Sequence, residues 1–454
     1  GAMLGSYFGT DGIRGIAGEK LTLELAHKVA VALAELLKDG AKRPLVVIGE
    51  DTRISCAMLC DAMSAALMGD GCDVIKLGVI PTPAVSLLVK KYGASAGIMI
   101  SASHNSFEYN GIKLFNSEGM KLSDEKERII EEKLDASTNF QTSYLSYDRI
   151  GRLIEPEKSP REEYIDFLLS TVSEDEKKYF RGKRVILDTA NGAGYDVAPD
   201  VYERLGAEVI CIGNSPDGIN INKDCGSTSI DNLSAEIKRL GADFGLAFDG
   251  DADRLIATDE KGQAIDGDKI MCIVARYLKQ QGILNTVVTV TVMSNLGLHK
   301  FMGELGLTTD ITKVGDRYVL ESMLKTGSIM GGEQSGHMIF MKDCVTGDGI
   351  LSSLKFVTAI GADGRKTGEV VADVVIYPQV LINVNVSDAT KKTYASNDKV
   401  IEVIEEINEN LKDKGRTLIR SSGTEPLVRV MVEGEDITEI KGYAEQIVKV
   451  IKSI

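Results

Sequence analysis

The sequence predicts an α/β protein of several domains that ends in a smaller α+β domain, on three observations. Short apolar or β-branched runs alternate with helical stretches from Leu45 to Ile360, the pattern of sheets covered by helices. A chain of 454 residues has room for three or four cores at about 150 residues each. From Val380 the order changes to strand, helix, strand, helix, which suits a small α+β unit.

Composition removes whole classes of function. With 43% hydrophobic and 26% charged residues the chain reads as soluble and globular, and no uninterrupted apolar run is long enough to cross a bilayer. No membrane role is expected. Gly1-Ala2-Met3 reads as a cloning remnant with no signal-peptide pattern behind it. Seven cysteines form neither a paired framework nor a CxxC motif, so free thiols and a cytoplasmic location are expected. Cys56 and Cys60 have helical spacing, but no nearby His or Cys completes a zinc set. A formal net charge of −15 argues against a nucleic-acid surface, which needs a basic stripe. An anionic ligand is still compatible with that charge. Screening falls off over about 8 Å, while each charge-assisted hydrogen bond contributes about 1.5–3 kcal/mol.

Taken in order, Tyr7 to Gly15 crowds three glycines around Arg14, backbone suited to close approach with a charged contact, or a plain loop. Leu45–Ile48 is a strand that ends in Gly49-Glu50-Asp51-Thr52-Arg53, with a helix from about Ser55. Val74-Ile75 forms the next strand, Pro81-Thr82-Pro83 a rigid turn, and a helix runs to Lys91. Ile98–Ile100 then stops abruptly in Ser101-Ala102-Ser103-His104-Asn105. The carboxyl end of such a strand is where open α/β sheets bind ligands; a Ser/Asn turn closed on its own backbone is the alternative. This first α/β domain ends near residue 152.

A second unit opens with the helix Arg161–Ser170, and its strand Arg184–Leu187 ends in Asp188-Thr189, echoing Asp51-Thr52. That echo hints at duplicated units. A helix over Val197–Leu205 and a strand over Glu208–Ile212 precede a turn-rich segment, residues 216–228, long enough to be functional. Directly after the apolar run Leu246–Phe248 stand Asp249, Asp251 and Asp253, alternate carboxylates that suit a hard cation such as Mg2+ better than an acidic turn lacking a counter-ion. An EF-hand fails because Arg254 occupies the place of its glycine and the flanks are strands. Farther on come a helix over Lys269–Gln281, a strand over Thr286–Val292, and Lys313-Val314-Gly315-Asp316-Arg317-Tyr318 leading into another helix. Gly331 to His337 then places Glu333, Ser335 and His337 on a glycine-rich loop, suited to sugar hydroxyls or an amine, or a simple loop. The helix Ile350–Ile360 closes this unit and residues 361–368 read as a linker. In the tail, Arg420-Ser421-Ser422-Gly423-Thr424-Glu425-Pro426 with Arg429 has the makings of an anion nest.

Five of these motifs, around Arg14, Ser103, Asp249–Arg254, Glu333–His337 and Arg420–Pro426, occur in an order that resembles the α-D-phosphohexomutases over essentially the whole chain. Gly332–His337, Gly218–Asn222, Cys225–Thr228 and Val314–Val319 resemble the branch that acts on glucosamine phosphates. The resemblance implies three related α/β domains with mixed sheets (residues 3–152, 153–253 and 254–367) and a C-terminal α+β domain (368–454) around a central cleft. It implies Ser103 carried as phosphoserine, with Mg2+ held by Asp249, Asp251, Asp253 and an oxygen on Ser103. His104, Lys113 and Arg14 would serve the chemistry with Ser103; Glu333, Ser335, His337, Lys313 and Arg254 the substrate; and Arg420, Ser422, Gly423, Thr424 and Arg429 a phosphate. The implied reaction interconverts glucosamine 6-phosphate and glucosamine 1-phosphate through a hexose or glucosamine 1,6-bisphosphate, toward UDP-N-acetylglucosamine. A phosphomannomutase or phosphoglucomutase of the same superfamily is the alternative. The partner is a small amino-sugar phosphate, with a monomer or homodimer as the assembly. Ser101, Ser106 and Ser421 depart from the usual Thr, Pro and Pro, and none removes a reacting group. Nucleotide chemistry has no support, since residues 361–367 lack the glycine a P-loop needs before Lys366.

Overall fold

Six strands make the first sheet: β1 (Phe8–Gly9), β2 (Gly12–Ile16), β3 (Leu45–Glu50), β4 (Asp73–Val79), β5 (Ala96–Ile100) and β6 (Tyr109–Phe115). The computed structural model describes residues 7–9, 11–38, 40, 43–136, 145–284, 286–423 and 425–454. The strand order is β1-β2-β6-β5-β3-β4. Its centre, β4-β3-β5, is parallel, and β6 returns antiparallel beside β5. Every residue of β5 is buried, as expected of a strand covered on both faces. Glycines let the helix Thr82–Lys91 press close: a Cβ at Gly97 would fall 2.5 Å from Val89, and one at Gly49 2.6 Å from Val85.

The second sheet is built from β7 (Arg184–Asp188), β8 (Glu208–Ile212), β9 (Phe244–Phe248), β10 (Leu255–Thr258) and β11 (Ala264–Ile265), in the order β11-β10-β9-β7-β8. The third has β12 (Val287–Thr291), β13 (Thr308–Thr312), β14 (Met330–Gly332) and β15 (Met338–Phe340), in the order β13-β12-β14-β15. One scheme recurs in all three. The first strand of each set (β3, β7, β12) lies between the second and the third, and a fourth strand returns antiparallel beside the third. The mixed sheets and the relatedness of the three units therefore follow from topology. Each third-to-fourth strand hairpin carries one motif loop: Ser103 between β5 and β6, Asp249–Arg254 between β9 and β10, and Glu333–His337 between β14 and β15.

These three sheets pack as one compact unit, residues 1–293 and 309–372. A second unit, 294–308 and 373–454, is built on β16 (Gln379–Asn385), β17 (Gly415–Ser421) and β18 (Leu427–Gly434), an antiparallel sheet ordered β16-β18-β17. The helices Asp398–Leu411 and Ile437–Lys452 bury Val400, Ile407, Ile440, Ala444 and Ile447 against it. Residues 294–308 belong there through polar contacts. Buried Glu433 accepts from the Leu296 N–H at 2.7 Å and from Arg416 at 2.9 Å, and Asn295 exchanges hydrogen bonds with Tyr377.

The expected linker at 361–368 is corrected. The helix Gly349–Asp363 runs through Gly361, and a short helix starts at Thr367. Gly361 is present for close packing, since a Cβ there would lie 2.4 Å from the Tyr179 side chain.

Candidate active site

Ser103 stands in the β5–β6 hairpin loop with φ +50°, left-handed and buried. Its own N–H donates to Ser101 Oγ at 3.0 Å. Arg14 lies opposite Gly111 across the β2–β6 pair, and the missing side chain leaves room for its stem, 3.1 Å from where a Cβ would sit. Lys113, two residues along β6, shares the face of Gly111. Both cations reach the serine: Lys113 Nζ donates to Ser103 Oγ at 2.9 Å and Arg14 Nη2 at 3.2 Å. The hydroxyl in turn donates to Asp251 Oδ2 at 3.2 Å. That carboxylate oxygen also accepts from Lys113 at 2.7 Å and from Thr82 Oγ1 at 2.6 Å.

Charge sets the protonation of this cluster. Burial alone would drive the Lys113 ammonium to release its proton, but the charges of Asp251, Asp253 and Asp11 outweigh it and hold the group above its ordinary range. Burial likewise opposes ionisation of Asp251, and Lys113 and the hydrogen bonds keep its carboxyl well below the usual range. Asp249 and Asp253 go the other way, raised by burial and by the neighbouring carboxylates. His104 is exposed in the same loop, and its pKa is lowered by partial desolvation and by Arg254 and Arg14.

Three buried carboxylates this close repel one another, and Lys113 directly offsets only the Asp251 charge. One oxygen from each of Asp249, Asp251 and Asp253 lies within 4.8 Å of the others, and each carboxylate keeps one buried oxygen with no hydrogen-bond partner. An all-oxygen donor set with unspent lone pairs fits a hard divalent ion. The carboxylate loop also touches the serine loop directly, for a Cβ at Gly250 would lie 2.3 Å from the Ser103 carbonyl oxygen.

The third hairpin joins the second through a bridge between Arg254 and His337 and through the Leu255 N–H, which donates to the Gly336 carbonyl at 3.0 Å. Glu333 is buried and accepts from the Gly315 N–H at 3.0 Å, while Ser335 is exposed. His337 is buried with Nε2 3.7 Å from Asp316, and half-buried Arg254 lies beside Asp253 and Asp249, whose charges raise its pKa against the effect of burial. Lys313 is exposed, its ammonium 5.7 Å from the centre of the Tyr318 ring. Lys121 binds Asp11 at 3.0 Å and Asp316 at 2.7 Å, tying the first sheet's loops to the helix Asp316–Thr326.

In the smaller unit, Arg420 of β17 and Arg429 of β18 are register partners. Two cations directly opposite each other repel, and among the described residues neither has an acidic partner. Ser422 is buried and accepts from the Glu425 N–H at 3.1 Å; Gly423 opens onto free space; Thr424 lies outside the described residues. Two apposed guanidiniums beside an open glycine are what this hairpin presents.

Four polar residues of the cluster escape the motifs as site residues. Arg53 is fully buried, pairs with Asp51 and donates to the carbonyls of Ser103 and Asn105. Asn222, Asp11 and Lys121 complete the surroundings. The one available signal for Arg53 is a charged pair, Asp51 and Arg53, directly behind a buried strand.

Four family profiles cover the chain in order. Domain I of phosphoglucomutase/phosphomannomutase matches residues 5–141, domain II 162–262, domain III 266–377 and the C-terminal domain 381–450. The chain is 49% identical over 452 residues to a Caldicellulosiruptor bescii protein described as phosphoglucosamine mutase, with 99% of each chain covered. Its fold is similar to a phosphoglucomutase/phosphomannomutase family protein of Burkholderia thailandensis, with a TM-score of 0.82 at 20% identity and coverage of 99% and 97%. It is also similar to N-acetylphosphoglucosamine mutase of Aspergillus fumigatus in complex with GlcNAc-6P and magnesium, with a TM-score of 0.61 at 17% identity and coverage of 98% and 95%.

Proposed function

This chain belongs to the phosphoglucomutase/phosphomannomutase family, and on that premise we propose that it interconverts glucosamine 6-phosphate and glucosamine 1-phosphate, passing a phosphoryl group between Ser103 and the sugar. One observation carries the reading: Ser103 Oγ sits within 3.2 Å of Lys113, Arg14 and Asp251, and Asp251 belongs to a carboxylate trio with unspent oxygens. Phosphoryl transfer depends on positioning and on neutralising charge, and this arrangement supplies both.

Asp249, Asp251 and Asp253 would hold Mg2+, which when bound supplies charge neutralisation for the transferring phosphoryl group. In the forward step the Oγ–P bond of phospho-Ser103 breaks and a bond from phosphorus to a sugar hydroxyl oxygen forms. The hydroxyl proton passes to a base of the loop, for which His104 is suited because its lowered pKa keeps the ring neutral. Lys113, held as ammonium, donates to Oγ as negative charge gathers there. Arg14 shares that charge. Glu333, Ser335, His337, Lys313 and Arg254 would orient the sugar. The resulting 1,6-bisphosphate gives its other phosphate back to Ser103, so a separate anion site must accept either end. Arg420, Ser422, Gly423, Thr424 and Arg429 have the chemistry for it.

Free thiols throughout agree with a reducing compartment, and among the described residues no helix is long and apolar enough to cross a membrane.

The test is a coupled assay on glucosamine, glucose and mannose 6-phosphates, with intact mass to count phosphoryl groups. The expected result is one phosphoryl group on Ser103, fastest turnover on glucosamine 6-phosphate, and a folded but inactive Ser103→Ala variant. Equal rates on all three sugars would move the chain to the phosphomannomutase/phosphoglucomutase branch, and phosphate release matching substrate loss would make it a phosphatase.

A further inference from the structure

The serine loop is gripped through its main chain by a side chain from the second sheet. Asn222 lies in the long loop between β8 and the helix Asp231–Leu240. Its amide nitrogen donates to the Ser103 carbonyl at 2.8 Å and to the Asn105 carbonyl at 2.9 Å. A side-chain amide has two N–H donors, and here both are spent on one loop. Arg53 reaches the same two carbonyls from the first sheet, at 3.5 and 2.5 Å. Asn222 is itself left-handed at φ +60° and is fixed by its N–H on the Ala190 carbonyl at 2.8 Å. A Cβ at Gly250 would fall 2.3 Å from the Ser103 carbonyl and 2.9 Å from Asn222 Nδ2, so the carboxylate loop presses on the same point.

The reason for such a grip lies in Ser103 itself. A left-handed residue with a side chain persists only where its surroundings hold it, and this φ sets where Oγ points. The hydroxyl belongs to the first sheet and the carboxylates to the second, 3.2 Å apart. Among the contacts described above, Asn222 is the side-chain donor that ties the serine's own carbonyl to the second sheet.

We propose that Asn222 is a positioning residue for phosphoryl transfer, fixing the Ser103 main chain so that the phosphoryl group faces the sugar hydroxyl and not water. The proposal rests on the phosphoserine reading above. In productive transfer the Oγ–P bond breaks as phosphorus bonds to the sugar oxygen, whose proton leaves. In the failure it guards against, phosphorus bonds to a water oxygen and inorganic phosphate departs.

Two variants test this. Asn222→Gly removes the amide while accepting the left-handed backbone; Asn222→Asp keeps the shape and turns an oxygen toward the two carbonyls. Each is charged with glucose 1,6-bisphosphate and its phosphoserine fraction is counted by intact mass. Turnover per phosphoserine, KM and inorganic phosphate released per turnover are then measured. Misplacement by about 1 Å costs about 100-fold, so turnover per phosphoserine should fall about 10- to 100-fold in both. KM should move less than about 3-fold and phosphate release per turnover should rise. The aspartate variant, nearly isosteric, carries the test if the glycine variant does not fold. Unchanged turnover per phosphoserine with unchanged phosphate release would overturn the proposal, as would a loss confined to KM or to melting temperature. A wild-type chain that never carries phosphate on Ser103 would overturn the parent reading as well, whereas active wild type with unaffected variants would overturn this proposal alone.

Discussion

Lys113 Nζ binds both Ser103 Oγ and Asp251 Oδ2, and three aspartates keep it charged despite complete burial. Removing it therefore has two consequences of different kinds. In Lys113→Met the serine oxygen loses its nearest donor, and kcat should fall by about 10²–10³, the usual cost of one electrostatic donor at a reacting oxygen. Asp251 is left buried without its cation, and breaking such a pair costs about 3–5 kcal/mol, so the melting temperature should drop in calorimetry. Equal stability with lost activity would mean that Asp251 is neutralised by another route. Lys113 is legible in the sequence because it follows the serine motif at short range. Arg53 leaves only the faint signal of its pairing with Asp51 behind a strand, and Asn222 leaves none as a site residue, because nothing local links it to a serine 119 positions earlier; only the packing of two sheets brings Asn222 and Ser103 together.

Elements were easiest to read where a single local rule governs them. The strand Glu208–Ile212 stands as expected, since glycine-bearing turns mark both its ends, whereas the tail departs from the expected strand, helix, strand, helix order by an added strand, β17 (Gly415–Ser421), which carries Arg420 on a strand and not in a loop. The helix Gly349–Asp363 outruns its expected end because Gly361 packs against Tyr179, a long-range reason for a glycine that local reading takes as a stop. Asp348 caps that helix, accepting from the Leu351 N–H at 2.9 Å and from Tyr164 Oη at 2.7 Å. Burial nevertheless pushes its carboxyl up to about 6, against those hydrogen bonds. The ordinary value is about 3.9, so between about pH 4 and pH 6 the folded state holds more protons than the unfolded one. Stability should therefore fall as pH rises through that window. Asp348→Asn keeps an oxygen for the cap and should flatten this part of the melting temperature against pH curve. At the β17–β18 hairpin the apposed Arg420 and Arg429 repel, which the proposed anion site would turn to binding. Arg429→Leu should raise KM for the sugar phosphate at least about tenfold while leaving the melting temperature of the ligand-free protein unchanged or higher, and a lower melting temperature would show that the arginine has a structural role instead.

At the scale of the molecule, the repeat of three units shows in the sequence only as the pair Asp51-Thr52 and Asp188-Thr189. Strand order is a matter of which strands pair, and very different side chains satisfy it. What the repeat achieves is to place serine, carboxylates and Glu333 on equivalent hairpins of one compact unit. A net charge of −15 adds a cost to this design, since part of it is buried in the Asp249, Asp251 and Asp253 trio. A cation held by the proposed site would stabilise the structure locally, and because the three sheets form one unit the effect should spread to its whole unfolding transition. A ligand that binds only the folded state stabilises by about 2.7 kcal/mol at a hundred times its Kd, so Mg2+ should raise the melting temperature of the larger unit in a calorimetric scan. Asp253→Asn removes one repelling charge and one ligand together. Its metal-free melting temperature should exceed that of the wild type, while the rise on adding Mg2+ and the mutase activity should both be lost. If Asp253→Asn instead melted lower without metal and still responded to Mg2+, the trio would be a structural acidic cluster and the ion would have to bind elsewhere.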